Sequence, residues 1–526
     1  MGIGGSYMYF ISMKHCTLVL LLLIIGAPAL QAQVYPNSPV FRNYRPKTDG
    51  KDPRNDGVRR QINLFMLERD AANGDPLAQH ELGVRYLTGM GVVADTIKSA
   101  EWLQQAAGQG LVPAMYNLGL LYNNGWGVEW NPFNAYTLFH HAAKAGMPEA
   151  RYVVGIFHTD DLVLKQNWET AFEWIDQAQS AGYEPAARAR EEIIRRGHVK
   201  LNKDSVLVRE EDTPPPEHVS ENRSQPDWVP VLLDMNRDTS RSAGIATSRL
   251  VAEYLATVPL SRKDSLSSSA LLGDDADTTA FLRLQRRARF GNPEAVVLLG
   301  RMYEEGRLAH TDELTAAALY AAGVYLESAH AVPLLIQLLR ESKLGDTLPG
   351  DAFNGNAQAQ FVWALLRALE IDTRLVESQA LDMLERAAAQ KHVKAMVHLG
   401  VARSSGRWVK KDMDRAEDLW AQAAQLRDEE ARIRLAAAAV LGRGSRMTLS
   451  TAMPILEAAA GEGSILAEVA LAYSYEHGVG RSANRGVAVR LYRSCAVRGS
   501  QTAYFNLRRM HEELRPDTEP FLRDDL

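Results

Sequence analysis

Residues 74–110 read GDPLAQHELGVRYLTGMGVVADTIKSAEWLQQAAGQG, and LVPAMYNLGLLYNNGWGVEWNPFNAYTLFHHAAKAG follows at once over 111–146. Laid over one another at a shift of 36, Ala78 falls on Ala114, Leu82 on Leu118, Gly83 on Gly119, Tyr86 on Tyr122 and Ala106-Ala107 on Ala142-Ala143. Gly89-x-Gly91 falls on Gly125-x-Gly127 in the same way. A fixed period of this length marks a repeat architecture. The anchor alanine continues as Ala150 and Ala186, recurs as the pair Ala295 and Ala331, and again as Ala359, Ala395, Ala431, Ala467 and Ala503. A large apolar residue stands four positions after ten of these anchors, and Arg190 breaks the column.

Anchor, +4 and +8 share one face of a helix, so each copy begins with a helix A whose stripe is buried. The small residue at +5 lets a neighbouring helix approach closely, and the glycine at +11 suits a helix C-terminus that turns through positive φ. A second helix, B, then runs into the paired alanines. Its apolar ridge is expected four residues earlier, at Trp102, Leu138, Trp174, Leu319, Met383, Leu419, Ile455 and Leu491. Two antiparallel helices per 36 residues, neither able to bury its apolar face alone, predict an all-α fold: an α-α superhelix, or α-solenoid, in at least two stacks separated by a linker. The columns resemble the Sel-1-like repeat, a relative of the tetratricopeptide repeat, over most of residues 60–200 and 276–515. The copy 464–499, SILAEVALAYSYEHGVGRSANRGVAVRLYRSCAVRG, matches as clearly as the first two.

The register also marks the breaks. Lys14-His15, the apolar run Leu18 to Ile25 and small-residue exits up to Ala32 read as a secretory signal over 1–32, too short to span a bilayer as an anchor. The chain is then expected to be exported to a periplasm or the cell exterior, without stable membrane insertion. Residues 33–58, with four prolines, read as an extended polar tail, and 59–197 as an N-terminal array that opens on a capping helix, Arg59 to Ala72. No anchor occurs in 198–275, which reads as a partly disordered linker with short apolar stretches at Asp227 to Met235 and Ser248 to Val258. The step from Ala331 to Ala359 is only 28, which leaves no room for a helix B and predicts a break near residue 347. It would separate a short stack, 276–345, from a C-terminal array, 346–515. An acidic tail without a packing pattern, 516–526, would end the chain.

Composition narrows the chemistry. Of 526 residues, 46% are hydrophobic and 23% charged, enough apolar content to fold. A net charge of -5 argues against a nucleic-acid partner. Two cysteines, of which Cys16 precedes the signal run, leave Cys495 without an intramolecular partner and exclude a cysteine-based zinc site. HExxH, GxxxxGK[ST] and GxSxG are all missing, and no catalytic residue, metal ligand or cofactor is assigned. Adjacent histidines such as His140-His141 diverge on a helix and cannot share an ion. Glu101, Glu173, Glu417 and Asp418 read as a solvated helix B face, and Cys495 as a small core residue.

What remains is surface. The resemblance implies that helix A lines the concave side and that its non-core positions meet a protein or peptide partner. Those positions carry Glu81, Asn117, His398, Arg434 and Asn506 at +3, Arg85, Leu121 and Phe157 at +7, and Tyr116 and Tyr152 at +2. The opposing reading is that these side chains pack on the next helix A. The expected function is therefore an exported binding scaffold or adaptor. Alternatives are a wall-associated, penicillin-binding-like enzyme or peptidoglycan-binding factor taking cell-wall fragments, and an envelope assembly scaffold. Wall-associated relatives staple their repeats with paired cysteines, which this sequence lacks.

Overall fold

The computed structural model describes residues 56–195, 197–201, 207–208, 278–306, 311–328, 330–444 and 446–522. The secretory signal, most of the polar tail, the linker from 209 with both of its apolar stretches, and the last four residues lie outside them. Twenty-two helices and one two-residue strand pair, β1 (Lys200–Leu201) with β2 (Leu207–Val208), make up the described secondary structure. The fold is an α-solenoid of repeated helix pairs. The chain divides into two compact units: the first takes residues up to 226 together with 485–493 and 505–526, and the second takes 227–484 and 494–504.

In the first unit a capping helix, α1 (Asp56–Ala72), precedes α2 (Pro76–Thr88), α3 (Thr96–Gly108), α4 (Val112–Asn124), α5 (Pro132–Lys144), α6 (Pro148–Phe157), α7 (Trp168–Ser180) and α8 (Glu184–Arg195). Helix A of the first two pairs, α2 and α4, ends where the glycine column stands. Gly89 and Gly125 adopt φ of 72° and 63°, and each cap N–H is donated to the carbonyl four residues back. Helix B starts on a column that sequence reading missed: the side chains of Asp95, Asn131 and Asn167, 36 residues apart, accept from backbone N–H groups of the first turn. Asp312 and Asp412 repeat it in the second unit.

The A–B seam corrects the ridge expected on helix B. A Cβ built on Gly83 would lie 2.7 Å from Leu103, on Gly119 2.9 Å from Phe139, and on Gly155 2.6 Å from Ile175. The same offset of twenty joins Gly300 to Tyr320 and Gly400 to Trp420. In these pairs the buried ridge therefore runs one residue later than expected, and Trp102, Leu138 and Trp174 are only half-buried, whereas Met383 is buried as expected. One residue rotates a helix by about 100°, enough to carry a neighbour to the edge of the seam.

The first unit also holds chain from the far terminus. Helix α21 (Arg485–Val497) is divided between the units, as is α22 (Gln501–Glu512). Gly486 passes Gly125 so closely that a Cβ on the latter would meet its Cα at 2.6 Å. Arg493 donates to Asn123 Oδ1 at 2.8 Å, and Arg515 donates to the carbonyls of Leu162 and Val163 at 2.7 and 2.8 Å. Phe521 is buried edge-on against Phe133 and Tyr136, with ring centroids 5.1 and 5.8 Å apart. The expectation of an acidic tail without a packing pattern from 516 is corrected at Phe521, while Asp517 to Pro520 and Leu522 are exposed: an aromatic residue too isolated to show a period still fills a gap in a core. The loop after α6, where Asp160-Asp161 replaces the glycines, is packed too, with Leu162, Val163 and Leu164 buried.

The second unit comprises α9 (Thr278–Arg289), α10 (Pro293–Glu304), α11 (Glu313–Tyr325), α12 (Ala331–Glu341), α13 (Leu344–Phe353), α14 (Ala357–Ala368), α15 (Glu377–Ala389), α16 (Val393–Ser405), α17 (Met413–Gln425), α18 (Glu429–Val440), α19 (Leu449–Gly461) and α20 (Ile465–His477). No break occurs near 347. Ten residues suffice for α13, which buries Leu344, Leu348 and Ala352, and a single hydrophobic cluster runs from Leu284 to Ala438. The short step is thus accommodated by a shorter helix B. Distant segments also meet within this unit: Asn292 donates to the Glu462 carbonyl at 3.0 Å, and Glu327 accepts from the Thr502 hydroxyl at 2.8 Å.

Candidate interaction surface

Where successive A helices meet, their facing positions form a polar and aromatic seam. In the first unit Asn117 Nδ2 donates to His80 Nε2 at 2.8 Å, joining +3 of one repeat to +2 of the preceding one. In the second unit the same two columns bring His398 edge-on to Phe361, 5.4 Å between centroids. These +2 and +3 columns are packing positions because each A helix lies against the next.

The expected partner-binding residues therefore divide. Leu121 is inaccessible, and Tyr152, Phe157 and His398 are buried, so their side chains fill helix contacts instead of an open face. Tyr116 is half-buried with its ring edge-on to Phe139 at 5.4 Å. Glu81 and Arg85 form an ion pair at 2.9 Å and both stay partly accessible. Asn117, Arg434 and Asn506 are half-buried. The structure brings His398 and Arg434 into one seam of the second unit, while Glu81, Arg85, Tyr116 and Asn117 belong to the first.

The second-unit seam carries residues that sequence reading missed. Lys394 Nζ lies 2.9 Å from both Asp428 and Glu430, and Arg434 donates through Nε and Nη2 to Glu430 Oε1 at 3.0 and 2.8 Å. Burial opposes ionisation of Glu430, yet Lys394 and Arg434 hold its carboxyl well below the usual carboxylate range. Lys394 is likewise kept charged by its two carboxylates against the cost of burial, while 39% of its side chain stays accessible. Burial pushes His398 down to about 3 and His80 down to about 4, so both are neutral near pH 7. The opposite charges at Lys394 and Glu430, 36 residues apart and one before their anchors, were the available signal for this network.

Other candidates resolve as structure. Cys495 is buried within 3.5 Å of Glu468 and Arg498, and burial pushes its thiol up, away from thiolate chemistry. His140 stacks on Tyr136, and His141 is exposed. Glu417 is not on a solvated face. It is buried and accepts from the Arg446 N–H at 3.2 Å, which ties the loop after α18 to α17. Among the described residues no group of three or more His, Cys, Asp or Glu side chains is placed to hold a metal ion, and no helix is long and apolar enough to cross a membrane.

The Sel1 repeat family model matches residues 76–111, 112–147, 293–326, 357–392, 393–428 and 465–496, the first five matches each covering one A–B pair of the structure. The chain carries six Sel1 repeats. No curated protein matches this Sel1-repeat chain. Solved structures similar to it include the following two. One is a protective antigen present in uropathogenic Escherichia coli strains displaying an SLR fold, at 20% identity and a TM-score of 0.29, covering 86% of this chain and 90% of that one. The other is a Sel1 repeat protein from Oxalobacter formigenes, at 32% identity and a TM-score of 0.24, covering 25% of this chain and 98% of that one.

Proposed function

We propose that this Sel1-repeat chain is a binding scaffold that takes a protein or peptide along the A-helix seams. What supports the reading is that these seams, otherwise closed by packing, leave charged side chains partly accessible, from 14% for Arg434 to 39% for Lys394, with Glu81 and Arg85 between them. Fixed and partly desolvated charges of this kind confer specificity on an interface. In the first unit Tyr116 and Asn117 adjoin them as contact residues, whereas Leu121, Tyr152 and Phe157 support the seam from beneath. The apolar run Leu18 to Ile25 supports export, so the partner is sought in the envelope or outside the cell.

Photocrosslinking tests the surface. A photoreactive residue at position 85, compared with one at the exposed helix B position 104, is expected to give discrete adducts in producing cells at 85 and none at 104. Adducts only at 104, or at neither position, would overturn the assignment. Fractionation and N-terminal sequencing of the mature chain check export, and recovery from the cytoplasm with residues 1–32 intact would remove it.

A further inference from the structure

We infer that the first unit carries a second peptide site, away from the A-helix seams, which the chain's own C-terminal segment occupies. Its floor is α5 and its rim is the loop after α6. Phe521 lies edge-on against Phe133 and Tyr136, with ring centroids 5.1 and 5.8 Å apart. Arg515 donates through Nη2 to the Leu162 carbonyl at 2.7 Å and through Nη1 to that of Val163 at 2.8 Å, and its guanidinium stands 5.3 Å over the Phe133 ring. The same Nη1 donates to the Phe521 carbonyl at 3.2 Å, so one side chain ties the aromatic anchor to the rim.

The segment is held as a ligand is held. Asp517 to Pro520 and Leu522 are exposed on either side of the buried Phe521, so one aromatic residue anchors an excursion that otherwise faces water. A buried aromatic anchor with solvated neighbours is the pattern of an interface hot spot. The walls of the slot belong to the repeats. Tyr136 stacks on His140 at 5.5 Å and meets Phe157 edge-on at 5.6 Å, and the Phe133 N–H donates to Asn131 Oδ1 at 3.1 Å. On the rim, Asp160 Oδ1 accepts from the Leu162 N–H at 2.9 Å and fixes the turn that carries the two carbonyls. None of these contacts uses the terminal segment, so the slot is formed without it. The occupant's chemistry sets what a replacement must offer: an aromatic ring for Phe133 and Tyr136 and, six residues before it, a guanidinium for the carbonyls of Leu162 and Val163. Arginine suits the second role because its planar fork reaches two acceptors at once. The partner is therefore a protein segment with an arginine and a phenylalanine at that spacing. The tethered segment, at about millimolar effective concentration, holds the slot against weaker ligands.

The probe is a labelled peptide of residues 513–522, offered in trans to the full chain. It should bind the Phe521→Ala chain, whose slot is vacated, at least about tenfold more tightly than wild type, because only wild type holds a tethered competitor. Replacing the peptide's phenylalanine by alanine, or its arginine by glutamine, should weaken binding about tenfold or more. Absence of binding to a folded Phe521→Ala chain, or equal binding of the alanine peptide, overturns the inference and makes Phe521 ordinary core. A second measurement needs no destabilising variant. With para-fluorophenylalanine at position 521 of the otherwise intact chain, excess unlabelled peptide should move the fluorine NMR signal to its solvent-exposed position. A signal unmoved at millimolar peptide overturns the inference even where Phe521→Ala fails to fold. Sedimentation separates the remaining occupant: a stable dimer that Phe521→Ala dissolves would assign the slot to a second copy and overturn the partner assignment. None of these outcomes bears on crosslinking at position 85, so the scaffold reading stands or falls separately.

Discussion

The +5 glycine and the buried seam histidines are single residues whose chemistry can be read off their surroundings. Gly119→Ala would place a methyl group 2.9 Å from the Phe139 ring, and Gly400→Ala one 2.4 Å from the Trp420 indole nitrogen. Each should cost about 1–3 kcal/mol in chemical denaturation, as overpacking does. Gly108, at the end of α3, has nothing within 4 Å of a built Cβ, and Gly108→Ala should instead be neutral or stabilise by up to about 1 kcal/mol. Three variants thus separate a packing glycine from an incidental one. The histidines predict a pH dependence. His80 and His398 have folded values of about 4 and about 3, below the ordinary 6.5, so between those limits the unfolded chain binds protons that the folded chain refuses. Stability should therefore fall as pH drops from about 6.5 toward 4. His80→Gln keeps an acceptor for the Asn117 amide without titrating, and thermal unfolding across that window should show a flatter profile. The spacing of Gly119 made its packing role legible beforehand. The neutrality of His80 was not legible, because it depends on what covers the ring.

Elements follow from the period where the period is strong and depart from it where a local gap must be filled. Helix A came out in register because its stripe is wide and its end is set by a glycine. The ridge of helix B was misplaced by one residue because Trp102 and Leu103 are both apolar, and only the docking angle against Gly83 selects between them. Helix α13 was unexpected for a related reason: a step of 28 excludes a thirteen-residue helix but admits one of ten. The terminal segment shows the limit most plainly. Phe521 and Arg515 form no pattern in sequence, yet one enters an aromatic cluster and the other ties down two loop carbonyls. Phe521→Ala should destabilise the first unit by about 3 kcal/mol. Hydrogen exchange should rise in α5 and in the 162–164 loop, and unchanged protection there would show that the segment is not part of this core.

At the scale of the whole molecule, the two largest hydrophobic clusters among the described residues lie in separate units, one running from Leu284 to Ala438 and the other around Phe133, Phe157 and Ile175. Separate cores in a repeat array unfold with separate cooperativity. Removing residues 505–526 should therefore lower protection across α4 to α6 while α14 to α18 retain theirs. Uniform loss across both regions would mean that the two cores unfold as one. The sequence by itself determined the repeat, the pairing of helices, the glycine and alanine columns and hence the fold class, because each is a local pattern reiterated every 36 residues. Only the tertiary structure decided which side chains stay accessible. It buried Leu121, Tyr152, Phe157 and His398, left Glu81, Arg85 and Lys394 partly open, and drew 485–493 and 505–522 into the first unit. The physical reason is that a period describes contacts within a repeat and to its neighbour, whereas burial also depends on segments hundreds of residues away.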